Sequence, residues 1–370
     1  MMKVALVHDY IKEYGGAERV LEALHEIYPD ADVYTTVYLP SYLGPHRKRF
    51  EAWEIHTSFL QYIPGKAKLI SPFRLLSPLA FQSFDFSKYD VIITSSTGAY
   101  FPNTLTKKKA RLFCYCHTPP RYLYGYATAR EWKNNLVLRI IGETINHFLR
   151  MVDFNSAQQV DQFIANSEEV KARIAKFYRK DAVVIYPPVE LNSESKILNS
   201  DSKKSRSYFL TGGRLARAKH VDVIVKACTE LKLPLKVFGK AFAGYGEELR
   251  ALAGKTVEFV GEVTDEEKLE LMAGARAFLF ASEDEDFGIT PVEAMGQGTP
   301  VIAFRSGGVK ETVVENKTGL FFDQLTVESL IEQIKVFGRK SFRAEDCRQQ
   351  AEKFSKKRFN SAIASLVAAK

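Results

Sequence analysis

The sequence has no apolar run approaching the ~20 residues that a membrane-spanning helix needs. Met1-Met2-Lys3 leads straight into Val4-Ala5-Leu6-Val7, without the apolar segment of a secretory leader. These absences set the expectation of a cytosolic chain. Cysteine is scarce, since Cys114, Cys116, Cys228 and Cys347 are too few and too scattered for a disulfide framework. Cys114-Tyr115-Cys116 alternates as a strand does and points two thiols the same way, but two sulfurs without further ligands make no zinc site. All four are expected as reduced, mostly buried thiols.

Zinc-finger spacing, an aromatic RNA-binding motif and a long basic helix are also missing, so the formal charge of +8 does not point to nucleic acid. Acidic residues are absent from Ile55 to Phe84, where Lys66, Lys68 and Arg74 are interleaved with aromatic and aliphatic side chains. His46-Arg47-Lys48-Arg49 and Lys107-Lys108-Lys109 add to the positive field. A stretch of this kind fits an anionic membrane surface. The alternative is a loop-rich subdomain that packs its own apolar residues.

What is present is a chain of 370 residues, 46% hydrophobic and 26% charged, which suits two soluble domains with real cores. Strand candidates in the first half are Lys3 to His8, Val33 to Val37, Val91 to Thr94, Arg111 to Cys116, Phe163 to Asn166 and Val183 to Tyr186. Helical or irregular stretches separate them, the longest from Asn134 to Gln159. In the second half they are Tyr208 to Thr211, Leu235 to Phe238, Val257 to Val260, Ala277 to Ala281 and Val301 to Phe304. Alternating β and α of this kind predicts an α/β fold of two Rossmann-like, doubly wound domains facing a cleft. The expected boundaries are 1–190, a Ser- and Lys-rich linker over 191–207, 208–344, and a C-terminal helical segment over 345–370.

The densest stretch is Glu283 to Ala303, which reads EDEDFGITPVEAMGQGTPVIA. Thr290-Pro291-Val292-Glu293 carries a hydroxyl N-cap, Pro at the first helical position and Glu three residues after the cap. A helix is therefore predicted to start there, with its free amides facing the preceding loop. Two readings stand side by side: Glu285 and Glu293 frame an anion cradle, or Glu293 completes a capping box and Glu285 is a solvated acid. Earlier, Tyr14-Gly15-Gly16-Ala17-Glu18 opens a helix after the first strand, a pattern common to many α/β proteins.

Glu285 and Glu293, with seven residues between them and Phe287-Gly288 and Pro291 inside, resemble the E-x7-E signature of retaining glycosyltransferase family 4. The run continues in register through Gly298-Thr299-Pro300-Val301-Ile302. Thr211-Gly212-Gly213-Arg214-Leu215 with Lys219 resembles the family's G-R-L…K element, except that His220 stands where many members carry Gly. Cys116-His117-Thr118-Pro119-Pro120-Arg121-Tyr122 is similar to a segment of the O-antigen mannosyltransferase branch. The resemblance implies the GT-B fold, with the C-terminal segment crossing back to the first domain.

It also implies site residues. The sugar hydroxyls fall to Glu285 and the amides of Phe287 and Gly288, and the ribose to Glu293. The diphosphate falls to the Gly15-Gly16 loop, Arg214, Lys219 and the amides near Ile289 and Thr290. Val263 lies in the loop that receives the nucleobase, and His117 contacts the transferring sugar. His117, Arg214, Lys219 and Glu285 are thus the candidate catalytic residues, and Arg121 is a candidate for an anionic acceptor. Asp30-Ala31-Asp32 and Asp284-Glu285-Asp286 match the D-x-D of metal-dependent glycosyltransferases. With Arg214 and Lys219 at hand, no metal or other cofactor is expected.

The implied activity is transfer of a hexose with retention, mannose from GDP-mannose being favoured, to a polyprenyl-diphosphate-linked saccharide. That would place the protein on the inner face of the plasma membrane. Rival readings are a UDP-sugar-dependent enzyme of the same fold, a nucleotide-sugar epimerase and a non-catalytic carbohydrate-binding protein.

Overall fold

Thirteen short strands pair into two separate parallel sheets in the computed structural model, which describes residues 2–126, 136–191 and 206–369. The chain divides into two units, Met1–Pro188 with Phe359–Lys370, and Val189–Arg358.

In the first unit the strands are β1 (Val4–His8), β2 (Asp32–Thr35), β3 (Ile55–Thr57), β4 (Val91–Ser96), β5 (Arg111–Cys116), β6 (Gln162–Ala165) and β7 (Ala182–Val184). Their order is β3-β2-β1-β4-β5-β6-β7, all parallel. β1 and β4 are buried along their whole length because helices cover both faces, which is why they read as near-continuous apolar runs. The helix Gly16–Ile27 buries Val20, Leu21, Ala23 and Leu24, one stripe at the helical period, against that sheet.

The second unit carries β8 (Tyr208–Gly212), β9 (Leu235–Phe238), β10 (Val257–Gly261), β11 (Ala275–Phe280), β12 (Val301–Phe304) and β13 (Gly319–Phe322), in the order β10-β9-β8-β11-β12-β13. Both orders double back beside their first strand, so each unit has a switch point, between β1 and β4 and between β8 and β11. The sequence reading lacks β3 and β13. Both are edge strands of three and four residues whose extended form comes from pairing with β2 and β12.

Two expectations change at the C-terminus. The segment from 345 is two helices, Ala344–Glu352 and Lys356–Ala368, because the chain breaks at Phe354 and Ser355. There Val189 N donates to Phe354 O at 3.0 Å and Lys356 N to Val189 O at 3.2 Å, an extended pairing that a continuous helix would forbid. The first helix belongs to the second unit, while Phe359, Ile363 and Val367 are buried in the core of the first. The expected linker lies mostly outside the described residues, as does the start of the long helix, described from Leu136 to Gln158.

After β3, residues 58–84 form short turns and two short helices, Ile70–Phe73 and Ser77–Gln82. Leu60, Phe73, Ala80 and Phe81 enter the core, whereas Phe59, Tyr62, Leu75, Leu76 and Leu79 are exposed. The four cysteines are all buried free thiols.

Candidate active site

The expected site residues fall beyond the carboxyl ends of the strands. Gly15 and Gly16 follow β1, and His117 and Arg121 follow β5. Arg214 and Lys219 follow β8, Val263 follows β10, and Glu285 to Thr290 follow β11. Loops in these places are where open parallel sheets bind ligands.

In the first unit, Gly15 is the N-cap of the helix Gly16–Ile27, and Glu18 reaches back so that its Oε2 accepts from Gly15 N at 2.9 Å. His117 Nε2 lies 2.9 Å from Ser95 Oγ, and Ser95 Oγ lies 3.1 Å from His8 Nδ1. Burial, and secondarily the neighbouring His8, push the pKa of His117 down to about 3, so its imidazole is neutral at physiological pH. Arg121 is half-buried in the next turn, where its carbonyl accepts from Tyr124 N at 3.3 Å and Tyr126 N at 3.2 Å.

The sequence reading missed His8, Asp9 and Ser95. Asp9 is fully buried, and its Oδ2 accepts from Thr97 N and Tyr100 N, each at 3.2 Å. Its Oδ1 has no hydrogen-bond partner among the described residues, and burial raises its pKa against the opposing pull of His8 and those donors. The available signal was His8-Asp9, two titratable residues directly ending an apolar strand.

In the second unit, Lys219 Nζ is hydrogen-bonded to Glu285 Oε2, which also accepts from Ser282 Oγ at 2.6 Å. The cation expected on the diphosphate and the acid expected on the sugar are therefore already partners. Arg214 is exposed in the same loop. His220 adopts the left-handed conformation at φ 46°, a backbone in which the Gly that the resemblance expects would be unstrained. Gly213 has φ 116°, and a Cβ built there would lie 3.8 Å from Thr290 Oγ1, so the β8 loop comes up to the next helix start.

That helix runs from Ile289 to Gly296 and is capped by Gly288 at φ 89°, which corrects the expected N-cap at Thr290. Thr-Pro-x-Glu satisfies the capping pattern, but the left-handed glycine turns the chain first and puts Thr290 in the first turn. Of the two readings of Glu293, the capping box falls with it, since its Oε1 accepts from Lys268 Nζ at 2.8 Å across to the helix Asp265–Gly274. Lys268 was not foreseen, and a lysine 25 residues from its partner gives no local signal.

Behind Glu285 stands a second missed feature, Gly307-Gly308 after β12. Gly308 N donates to Glu285 O at 2.8 Å, and a Cβ on Gly307 would fall 2.1 Å from the same oxygen. The loop that carries Glu285 thus rests on glycine backbone. Phe287 packs its ring on Phe354, centroids 5.4 Å apart. Val263 is half-buried just after Gly261, which has φ 89°, and Thr264 caps the following helix.

The two D-x-D matches have different surroundings. Asp32 lies with Glu54 and His56, the one trio among the described residues whose ligand atoms come within 4.8 Å, but Lys88 Nζ holds Asp32 at 2.8 Å. Asp284 is left-handed at φ 51°, and its N–H donates to Ser306 Oγ at 3.0 Å.

Comparison with known proteins fits this geometry. Residues 14–193 match the model of Glycosyltransferase Family 4, and residues 192–354 match that of Glycosyl transferases group 1. The chain is 26% identical to the alpha-1,3/1,6-mannosyltransferase ALG2 of Dictyostelium discoideum over 66% of each chain. It is 24% identical to the mouse protein of that name, over 82% of this chain and 80% of the relative. Among solved structures, HepE of Anabaena superposes with a TM-score of 0.73 at 20% identity over the whole of both chains. Sucrose-phosphate synthase of Thermosynechococcus elongatus gives 0.74 at 19% identity, covering 99% of this chain and 98% of the other. The chain belongs to the GT-B glycosyltransferases that join a family 4 domain to a group 1 domain.

Proposed function

We propose that this glycosyltransferase moves mannose from GDP-mannose to a hydroxyl of a lipid-linked saccharide, with retention at the anomeric carbon. The observation that carries the reading is the arrangement at the switch point of the second unit. Arg214, the Lys219–Glu285–Ser282 cluster and the amide end of the helix Ile289–Gly296 lie in adjoining loops. Cations beside a helix N-terminus suit a diphosphate, and a carboxylate held by a hydroxyl and an ammonium suits sugar hydroxyls. The mannosyltransferase name of the curated relatives supports the choice of sugar.

In this reading the glycosidic C–O bond breaks with its electron pair going to the β-phosphate, whose growing charge Arg214, Lys219 and the helix amides stabilise. The acceptor oxygen bonds to the anomeric carbon on the same face, and its proton passes to the departing phosphate oxygen. His117 meets a hydroxyl of the sugar, Glu293 the ribose, and Arg121 an anionic acceptor. No metal takes part, because the two cations and the amides supply the charge. The experiment is turnover with GDP-mannose in EDTA and a short polyprenyl-linked acceptor, with the anomer read by NMR. An α-linked product from the α-donor supports the reading, and product only with a UDP-sugar moves it to the UDP-dependent alternative.

Membrane contact belongs to the same proposal. Ile140, Ile141, Ile145, Phe148 and Met151 are exposed on the helix Leu136–Gln158, Phe148 by 62%. At about 100° per residue these positions stay within ~140° of arc, one face of the helix. That helix and Ser77–Gln82 both pack on the turn Pro102–Thr104, where Thr104 Oγ1 donates to Pro78 O at 3.3 Å. The exposed Leu75, Leu76 and Leu79 therefore flank the same turn, beside a segment whose only charges are Lys66, Lys68 and Arg74. An apolar surface with cations and few acids suits an anionic bilayer. Vesicles containing anionic lipid should sediment the protein, and Phe148→Glu with Ile141→Glu should abolish this. Binding that ignores lipid charge and those changes, or a dimer through the stripe, sinks this part.

A further inference from the structure

Four polar side chains of the first unit line up from His117 back to the glycine loop, hydrogen-bonded except at His8 Nε2, which has no hydrogen-bond partner among the described residues and faces a carboxylate. His117 Nε2 is 2.9 Å from Ser95 Oγ, and that oxygen is 3.1 Å from His8 Nδ1. His8 Nε2 faces Glu18 Oε1 at 3.6 Å, and Glu18 Oε2 accepts from Gly15 N at 2.9 Å. His8 and Ser95 are both 0% exposed, so bulk water offers them no substitute partner. The four come from β1, β4, the loop after β5 and the first turn of Gly16–Ile27, which fixes their relative places through the sheet.

The direction of the line follows from its end. A hydroxyl both donates and accepts, and a neutral imidazole has one nitrogen of each kind, so the middle links run either way. A carboxylate only accepts. A bare lone pair on His8 Nε2 would set two acceptors against each other in a buried place, whereas an N–H there is attracted to Glu18. With that proton and no second one, His8 offers Nδ1 as an acceptor and Ser95 donates its single proton to it. Ser95 Oγ then accepts from the Nε2–H of His117, and the other nitrogen of His117 is left with a lone pair.

We infer that Ser95, His8 and Glu18 are positioning residues that hold His117 in its Nε2-protonated tautomer, so that the ring presents Nδ1 as an acceptor to the transferring sugar. The sugar half rests on the proposed function. An acceptor nitrogen takes a hydroxyl, which donates, and discriminates against a carboxylate or a hydrogen at the same position. The donor class is therefore a neutral hexose hydroxylated at the contacted carbon, rather than a uronic acid or a sugar deoxygenated there.

The test is long-range ¹H–¹⁵N NMR of the full chain labelled at histidine nitrogens, with His117 assigned from the signals lost in His117→Gln. The expected result is an Nε2-protonated His117 that becomes a tautomer mixture in Ser95→Ala and returns in Ser95→Thr, which keeps the hydroxyl. A His117 protonated on Nδ1, or on both nitrogens, overturns the inference, and so does a tautomer unchanged in Ser95→Ala. Glu18→Gln is the second variant should Ser95→Ala not fold, and it is expected to weaken the same preference. In turnover, Ser95→Ala should lower kcat by about tenfold or more, by analogy with the partners that orient a metal-ligating histidine. Deoxy donors, each with a hydrogen in place of one sugar hydroxyl, and the uronic acid donor, tried in turn, should include one position where wild type discriminates and Ser95→Ala does so less. Equal acceptance at every position removes the sugar half. The expected tautomer with no donor turned over rejects the proposed function and leaves the positioning network standing.

Discussion

At the residue scale, the proposed chemistry concentrates on two cations with different surroundings. Arg214 is exposed, whereas Lys219 is tied to Glu285. A group that meets the leaving diphosphate matters most as charge develops on it, so Arg214→Ala should cut kcat by about 10²–10³-fold, the loss seen when one preorganised donor is removed. Steady-state kinetics checks this, and an unchanged kcat with a raised KM would assign Arg214 to ground-state binding alone. His117 should add no limb to the pH–rate profile between pH 5 and 8, because its pKa has been pushed to about 3 and it is neutral throughout. Arg214 and Lys219 could be nominated from the sequence because they sit in one short motif. The Lys219–Glu285 pair, 66 residues apart, and the His8–Ser95–His117 line were not, because side chains that meet only through the fold leave no local spacing.

At the element scale, the glycines behind Glu285 carry the sharpest prediction. Gly307 has φ 65° and stands where any Cβ would strike Glu285 O at 2.1 Å. Gly307→Ala therefore combines a left-handed penalty of about 1–2 kcal/mol with overpacking of about 1–3 kcal/mol. Denaturant melts should show a loss of at least ~2 kcal/mol, together with weakened nucleotide binding as the loop moves. The central strands were readable because burial on both faces leaves an apolar run. The helix start was misplaced because Thr290-Pro291-Val292-Glu293 imitates a capping box while Gly288 makes the turn.

A second prediction belongs to the long helix Leu136–Gln158. Its Asp153 is buried and accepts from Tyr124 Oη at 2.8 Å and Tyr178 Oη at 3.1 Å. Burial raises its pKa to about 7, with the two hydroxyls pulling the other way. Between the ordinary carboxylate range and pH 7 the folded protein holds a proton that the unfolded chain has released. Stability from this group is therefore full at low pH, falls as pH rises towards 7 and is flat above it. Asp153→Asn removes the buried charge, so its melting temperature relative to wild type should rise from pH 5 to pH 8. An unchanged difference would show that Asp153 titrates normally.

At the scale of the whole molecule, two parallel α/β units were legible from the β–α alternation, and the family from motifs that stand in register on the strand ends. The division of the C-terminal segment was not legible, because its apolar spacing is equally helical on both sides of Phe354. The central claim is that this glycosyltransferase binds a nucleotide diphosphate sugar through cations and amides without a metal. The most direct measurement is a thermal-shift titration with GDP, UDP, ADP and their common sugar conjugates in EDTA. A ligand at about 100 times its Kd stabilises the folded state by ~2.7 kcal/mol, or several degrees for units of this size. The account predicts that GDP and GDP-mannose raise the melting temperature in EDTA, and that Arg214→Ala weakens the shift. No shift with any nucleotide until a divalent metal is added would contradict it.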